Sequence, residues 1–324
     1  MFVIYSIWME NIIEKVCLNA FRHDLSENKT AHAYLVVSPD EVFNKMVAYS
    51  MAGFLLCNEK TLCGECLACK KTLAGTNPDF HVYPKGKNFL VDDAVSIIEK
   101  SIESPMGGSV KVFLVNNIDL STLQAQNKIL KTLEEPSKSN VFILTATNEN
   151  KILPTVISRT RKEYLLPLEK EQIKNIIENP PALYKEILPS KKNYIGNELN
   201  DAISFGEGWI GKTINALESK FFSQQKNLVR KISTSFSSSK DFASVSAEVL
   251  KFKDELKNFL VLLKNEHRNL LVHETDQTKC EGQVEIIKEI HNCFQEIERN
   301  VNVNLIVDNL LMKILEIKYL YKLN

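Results

Sequence analysis

The chain has 324 residues, enough for two or three domains and a sizeable core. Lysine plus arginine and aspartate plus glutamate both number 40, so the formal net charge is zero, which argues against a dedicated nucleic-acid binder working through many phosphate contacts. With 44% hydrophobic and 25% charged residues the composition is that of a soluble globular protein, and no stretch approaches the roughly 18 apolar residues of a membrane span.

The opening MFVIYSIWMENII is apolar but short, lacks a basic lead-in and runs straight into a charged helical pattern. It does not read as a signal peptide, and Met9 is an alternative start to Met1. Seven cysteines, four of them clustered, with no export signal point to a reducing cytoplasm and to a metal rather than disulfides.

Residues 9–25 have the spacing of a helix with Ile12, Ile13, Val16 and Phe21 on its buried face. Ala33 to Val37 then reads as a strand, Ser38 to Val42 as a turn and Phe43 to Leu56 as a helix. Strand, loop, helix is where a phosphate-binding loop would sit. Such a loop needs glycines so that successive backbone N–H groups close on the phosphates, with a lysine and a Ser/Thr for the terminal phosphates and magnesium. Here the loop runs Ser38, Pro39, Asp40, Glu41, Val42, Phe43, Asn44, Lys45. It has no glycine, its two carboxylates repel a polyphosphate, and Met46 after Lys45 cannot hold magnesium. An ordinary strand-to-helix turn is the reading, and no ATP is expected there.

Cys57, Cys63, Cys66 and Cys69 follow with the spacing C-x5-C-x2-C-x2-C. Four thiolates so close in sequence can meet one tetrahedral zinc, and a site closed by four sulfurs leaves no position for water, so its role is structural. Cys17, Cys280 and Cys293 are isolated and read as small buried apolar residues. His32 reads as a core or turn histidine.

Phe80 to Tyr83 is expected as a strand, Val91 to Ser101 as a helix and Val112 to Val115 as a buried parallel strand. An ATPase would end that strand in Asp-Glu, for magnesium and for the attacking water. This one ends Asn116-Asn117-Ile118-Asp119, where Asp119 reads as an N-cap for a helix starting at Ser121 or as a turn aspartate. Leu123, Ile129, Leu130 and Leu133 recur at helical spacing until Pro136. Glu134 and Glu135 close that helix as solvated carboxylates at its unfavourable end. Val141 to Leu144 is a second buried strand, followed by Thr147 and Asn148 as capping residues and by a turn away over Leu153 to Arg161.

Leu165 to Leu168 marks a boundary. A short helix over 170–179, a Pro-, Lys- and Asn-rich stretch, and helices over 199–205 and 210–217 follow, with Gly206-Glu207-Gly208 as a turn. Beyond Lys220 the pattern is helical throughout, near 221–236, 239–273, 280–299 and 302–322. Phe252, Leu256, Phe259, Leu260 and Leu263 form a broad apolar face on the longest of these. The expected fold is a parallel-sheet α/β domain followed by all-α parts.

AHAYL, the cysteine cluster, NPDFHVY, KVFLVNNIDLSTLQAQNKILKTLEEP and LPTVISRT together resemble the clamp-loader subunits of bacterial DNA polymerase III, and among them the delta-prime family. The resemblance is strong over 9–166 and faint beyond. It implies an ATPase-type α/β domain with a zinc insertion over 1–166, a small helical lid over 167–217 and a helical collar over 218–324. It further implies a hetero-pentameric ring with gamma/tau and delta subunits that opens the sliding clamp and loads it on primed DNA. Delta-prime subunits generally lack a working phosphate loop and supply an arginine from a Ser-Arg-Cys motif to ATP on the neighbouring gamma/tau subunit. The match here is Ser158-Arg159-Thr160, with threonine in place of the cysteine and Arg161 close by. The alternative is a gamma/tau-like ATPase with a divergent nucleotide site.

Overall fold

The computed structural model describes residues 18–27, 29–180, 184, 187–188 and 197–323. Of the helix expected over 9–25, the described part is α1 (Asn19–Ser26), with Phe21 fully buried; Ile12, Ile13, Val16 and Cys17 lie outside the described residues. The chain divides into two compact units, residues 1–195 with 206–214, and residues 196–205 with 215–324. Among the described residues no helix is long and apolar enough to cross a membrane.

The first unit is built on a five-stranded parallel sheet of order β2-β3-β4-β1-β5. Its strands are β1 (Ala33–Val37), β2 (Phe80–Tyr83), β3 (Lys111–Val115), β4 (Asn140–Ala146) and β5 (Arg161–Tyr164). The runs YLVV, VFLV and VFIL are apolar because β1, β3 and β4 are interior strands with both faces covered. Phe113 and Phe142, paired in register, stack with centroids 5.1 Å apart. The helices between strands are α2 (Glu41–Leu56), α3 (Leu67–Leu73), α4 (Val91–Ile102), α5 (Leu123–Glu134) and α6 (Pro154–Ile157). Ala94 and Ile97 of α4 and Ala125, Ile129 and Leu133 of α5 close over Leu35, Phe113 and Leu144 as one core. The chain leaves β1 for the far edge of the sheet, so β1 and β4 are neighbours without being consecutive. The crevice at their C-terminal ends is where open α/β sheets hold ligands.

Strand β5 departs from the expected turn. Its sequence RKEY is polar because it is an edge strand, with only Glu163 pointing inward. The buried Glu163 carboxylate accepts the Phe21 N–H at 2.6 Å and so caps the N-terminus of α1 from the sheet edge. Arg161 pairs with Asp24, which is 3% exposed and also accepts the Tyr34 hydroxyl at 2.7 Å. Arg161 therefore belongs to the docking of α1.

Burial pushes Glu163 up to about 7, against the pull of the Phe21 N–H and of Arg161. A carboxyl whose folded value lies above its ordinary 4.5 favours the folded state while protonated, and that advantage is lost as pH rises from about 4.5 through 7. The change is on the order of 2–3 kcal/mol. Glu163→Gln keeps the acceptor and removes the charge, so its melting temperature should vary less than the parent's between pH 5 and 7. Equal slopes would show that this carboxyl does not titrate in that window.

After β5 come α7 (Lys170–Glu178), α8 (Asn197–Gly206) and α9 (Ile210–Glu218). The second unit adds α10 (Phe222–Thr234), α11 (Phe242–Leu250), α12 (Leu256–His273), α13 (Gln277–Glu298) and α14 (Val303–Leu320). The single helix expected over 239–273 is broken by a 3-10 turn at Lys253–Glu255. Phe252 and Leu256 both reach the core across that break, and Glu255 accepts Ser219 Oγ at 2.8 Å and Gln225 Nε2 at 3.1 Å. Ile232, Leu260, Ile286, Ile290 and Ile314 are fully buried at the centre of this bundle.

Two ionisable groups sit inside it. Lys318, 2% exposed, donates from Nζ to the carbonyls of Ile232, Ser233 and Phe236 at 2.7, 2.8 and 3.1 Å, closing the C-terminus of α10. Burial lowers it to about 8. His267 is held neutral, with burial bringing it down to about 4. Its Nδ1 donates to Gln283 Oε1 at 2.6 Å. A bundle core of this kind selects one packing, since each buried polar group requires its own partner.

Candidate functional site

The loop after β1 lies at the C-terminal ends of β1 and β4 and turns Ser38, Asp40 and Asn44 inward. Asp40 stands at the N-cap of α2, where its Oδ1 accepts the Phe43 N–H at 3.0 Å. That cap starts the helix at Glu41, two residues earlier than expected. The other carboxylate oxygen, Oδ2, accepts the Gly211 N–H in the first turn of α9 at 2.6 Å. Two helix N-termini, each carrying partial positive charge, thus converge on one carboxylate, as they would on a phosphate. The approach is close: a Cβ on Gly211 would come within 2.3 Å of Asp40 Oδ1. Asp40 is 4% exposed, and burial raises its carboxyl above the usual range while the two N–H donors oppose that rise. Trp209, just before α9, packs edge-on to Phe43 at 6.4 Å.

The remaining loop residues are used structurally. Asn44 is fully buried and donates to Ser38 O at 3.0 Å and Ala146 O at 2.9 Å, tying the ends of β1 and β4 together. Ser38 Oγ accepts the Asp40 N–H at 3.2 Å, while Pro39 and Glu41 are exposed. Lys45 lies over the ring of Tyr49, 5.9 Å from its centroid, one turn along α2. The lysine is therefore folded back on its own helix.

At the end of β3 the acidic pair of an ATPase is replaced by amides. Asn116 donates to Tyr83 O at 3.3 Å, and Asn117, at φ 52°, donates from Nδ2 to Glu41 Oε1 at 2.5 Å. Asparagine is among the few residues that enter this left-handed region readily. Of the two expectations for Asp119, the turn position is met and the N-cap is corrected. Helix α5 starts at Leu123 and is capped by Thr122, whose side chain accepts the Ala125 N–H. Asp119 instead lies buried in a 3-10 turn, where one oxygen accepts the Thr147 N–H, the Thr147 hydroxyl and the Asn148 N–H at 3.2, 2.9 and 3.1 Å. It fastens the end of β3 to the end of β4. Asn148 caps the next 3-10 turn, as expected of it. His32 is exposed at a bend.

Arg159 follows α6 at the surface, its side chain 32% exposed. Its Nη1 donates to Thr155 O at 2.7 Å and Ser158 Oγ at 3.2 Å, and its Nη2 meets Glu134 Oε1 at 2.7 Å. Glu134, expected as a solvated carboxylate, is thus paired. Thr160 directs its hydroxyl to Ile157 O at 2.9 Å, a local bond for which the side chain need only carry an O–H.

The four clustered cysteines converge. Their Sγ atoms all lie within 4.8 Å of one another, with Cys57 to Cys63 at 3.7 Å and Cys63 to Cys69 at 4.0 Å. Sulfurs at tetrahedral corners about 2.3 Å from a metal stand about 3.8 Å apart, so the donor set fits a metal ion. Cys66 caps the N-terminus of α3, a short helix the sequence pattern did not reveal, and Cys69 lies in its first turn. Burial opposes ionisation at Cys57, but the N–H groups of Cys63, Thr61 and Glu59 outweigh it and bring the thiol to about 6. At Cys69 burial and the neighbouring Cys57 push the thiol well above its ordinary value. To ionise all four thiols side by side would call for a cation among them.

A family model described as DNA polymerase III, delta subunit, matches residues 13–169. The DNA polymerase III subunit delta' of Escherichia coli (strain K12) is 37% identical over 142 residues, and the matched stretch spans 42% of this chain and 42% of that relative, about two fifths of its length. The subunit delta' of Buchnera aphidicola subsp. Schizaphis graminum is 30% identical over 220 residues, covering 65% of this chain and 63% of the relative. Among solved structures, a DNA polymerase III gamma subunit-related protein from Thermotoga maritima aligns over 97% of this chain and 99% of its own at 20% identity and a TM-score of 0.47. Over residues 13–169 the chain is thus similar to the delta subunit family of DNA polymerase III and to its delta-prime subunits.

Proposed function

We propose that the chain is a non-catalytic delta-prime-type component of the clamp loader, which supplies Arg159 in trans to ATP held by a neighbouring gamma/tau subunit. The observation that carries this reading is the seat of Asp40. Its carboxylate takes the N–H groups at the starts of α2 and α9 that a nucleotide phosphate would need. With amides at Asn116 and Asn117 as well, the strand ends lack both the phosphate cradle and the magnesium ligands of an ATPase. Arg159 is then the group suited to phosphoryl chemistry, and it stands at the surface, as a residue must to serve another chain.

In this reading residues 1–166, 167–217 and 218–324 act as an ATPase-like domain, a lid and a collar in a hetero-pentameric ring with gamma/tau and delta subunits. The ring opens the sliding clamp and loads it on primed DNA in the cytoplasm. A scaffolding role is supported by α14, where Leu305, Met312 and Tyr319 recur at seven-residue steps while 53, 61 and 84% exposed. Apolar side chains in such a stripe suit contact with another helix. The metal of Cys57, Cys63, Cys66 and Cys69 is zinc, which joins the loop to α3 and takes no part in chemistry.

Titrating the purified subunit with a fluorescent ATP analogue and magnesium tests the reading. No saturable binding is expected. Saturable, magnesium-dependent binding would reject it in favour of a working nucleotide site.

A further inference from the structure

Arg159 and Glu134 come from separate segments, KTLEEP and ISRT, that the sequence pattern gives no reason to pair. Glu134 is the last residue of α5, where the helix presents its negative end and a carboxylate is unfavourable without a cation. The Arg159 guanidinium supplies that cation at 2.7 Å. The same side chain is folded back over its own turn, with Nη1 bound to the carbonyl four residues earlier, Thr155 O, and to Ser158 Oγ. Both terminal nitrogens are thus engaged inside the chain, in a pose that shortens the reach of the arginine.

We propose that Glu134 is a positioning residue that latches Arg159 in this retracted pose, and that the guanidinium reaches a neighbouring chain's phosphate by exchanging the Glu134 carboxylate for it. The proposal rests on the reading of Arg159 as a finger acting in trans. The exchange is chemically even-handed, since carboxylate and phosphate both accept from the same N–H fork. It is also easy. With side chains 32% and 42% exposed, the pair is solvent-screened, and such pairs bias a population by about two- to fivefold. The latch therefore sets how often the finger is extended without preventing its use. Arg161, held by the buried Asp24, has no such latitude.

Glu134→Gln keeps the size of the side chain and removes its charge, and two measurements separate the latch from a merely structural role. In the full-length subunit alone, phenylglyoxal should modify Arg159 about two- to fivefold faster in Glu134→Gln than in the parent, read by peptide mass. In the ring reconstituted with gamma/tau and delta subunits, the same variant should raise kcat for ATP without DNA by a similar factor and leave KM unchanged. General damage to the fold would lower kcat instead. An unchanged labelling rate, or a kcat that stays level or falls, overturns the latch. If Arg159→Ala leaves ring turnover unchanged, the finger reading itself fails, and the labelling result tells that failure apart from failure of the latch.

Discussion

Arg159→Ala should leave the subunit folded and slow hydrolysis at the adjoining ATP site by about 10³- to 10⁵-fold, the range seen when an arginine finger is removed from phosphoryl transfer. The expectation rests on charge. In the transition state negative charge spreads over the transferred phosphoryl oxygens, and a guanidinium neutralises it through a planar pair of N–H donors. Single-turnover hydrolysis in the reconstituted ring reads this at the affected site. Steady-state turnover falls less where the other sites fire independently. Folding is spared because Arg159 is a surface residue whose pair with Glu134 contributes about 1 kcal/mol or less. Arg161→Ala gives the contrasting result: it strips the buried Asp24 of its cation, so it should lower the melting temperature and leave hydrolysis alone. Normal single-turnover rates with Arg159→Ala would reject the finger.

The interior of the α/β unit was legible because burial writes itself into composition. Strands β1, β3 and β4 are covered on both faces, so their β-branched and aromatic runs stand out against the neighbouring sequence. Strand β5 is an edge strand with one inward residue, a glutamate, and RKEY carries no apolar alternation to detect. The cysteine cluster was legible for a different reason: its four thiols lie within 13 residues, a spacing short enough for one metal ion to take all of them.

What the sequence withheld are contacts between distant polar residues. Gly211 and Asp40 are 171 positions apart, and nothing in SPDEVFNK says which backbone amide will meet the aspartate. The absence of glycine showed that the loop could not cradle a phosphate. That the same loop provides its own carboxylate at the junction of two helix starts required the fold. Asp119 sits in a turn, one of its two expected places, while the capping alternative lost to a long-range arrangement, because Thr147 and Asn148 bring three donors to it across the sheet. Local propensity decides such cases only where no tertiary partner competes.

Removal of metal from the cysteine cluster should unfold residues 57–73 and leave the parallel sheet standing. The segment contains several conformations that the chain would not hold unaided. Lys60 and Leu62 sit at φ 50° and 54°, in the left-handed region that costs a residue with a side chain about 1–2 kcal/mol. Helix α3 has seven residues, too few to persist alone in water. Leu62 is 1% exposed and lies against Gly53 so closely that a Cβ there would come within 2.4 Å of it, so the loop is pinned to α2 there, and Asn77 ties α3 through Ala68 O and Thr72 Oγ1 at 3.4 and 2.9 Å. Structural zinc sites supply about 10–16 kcal/mol at neutral pH, far more than these costs together. The subunit purified under reducing conditions should accordingly carry one zinc per chain by elemental analysis. Chelation or Cys69→Ser should abolish hydrogen-exchange protection over α3 and the preceding loop, while β3 and β4 keep theirs. Much less than one zinc per chain, or protection in the Cys69→Ser variant equal to the parent's, would show that packing alone holds the segment and that the four thiols are not ligands.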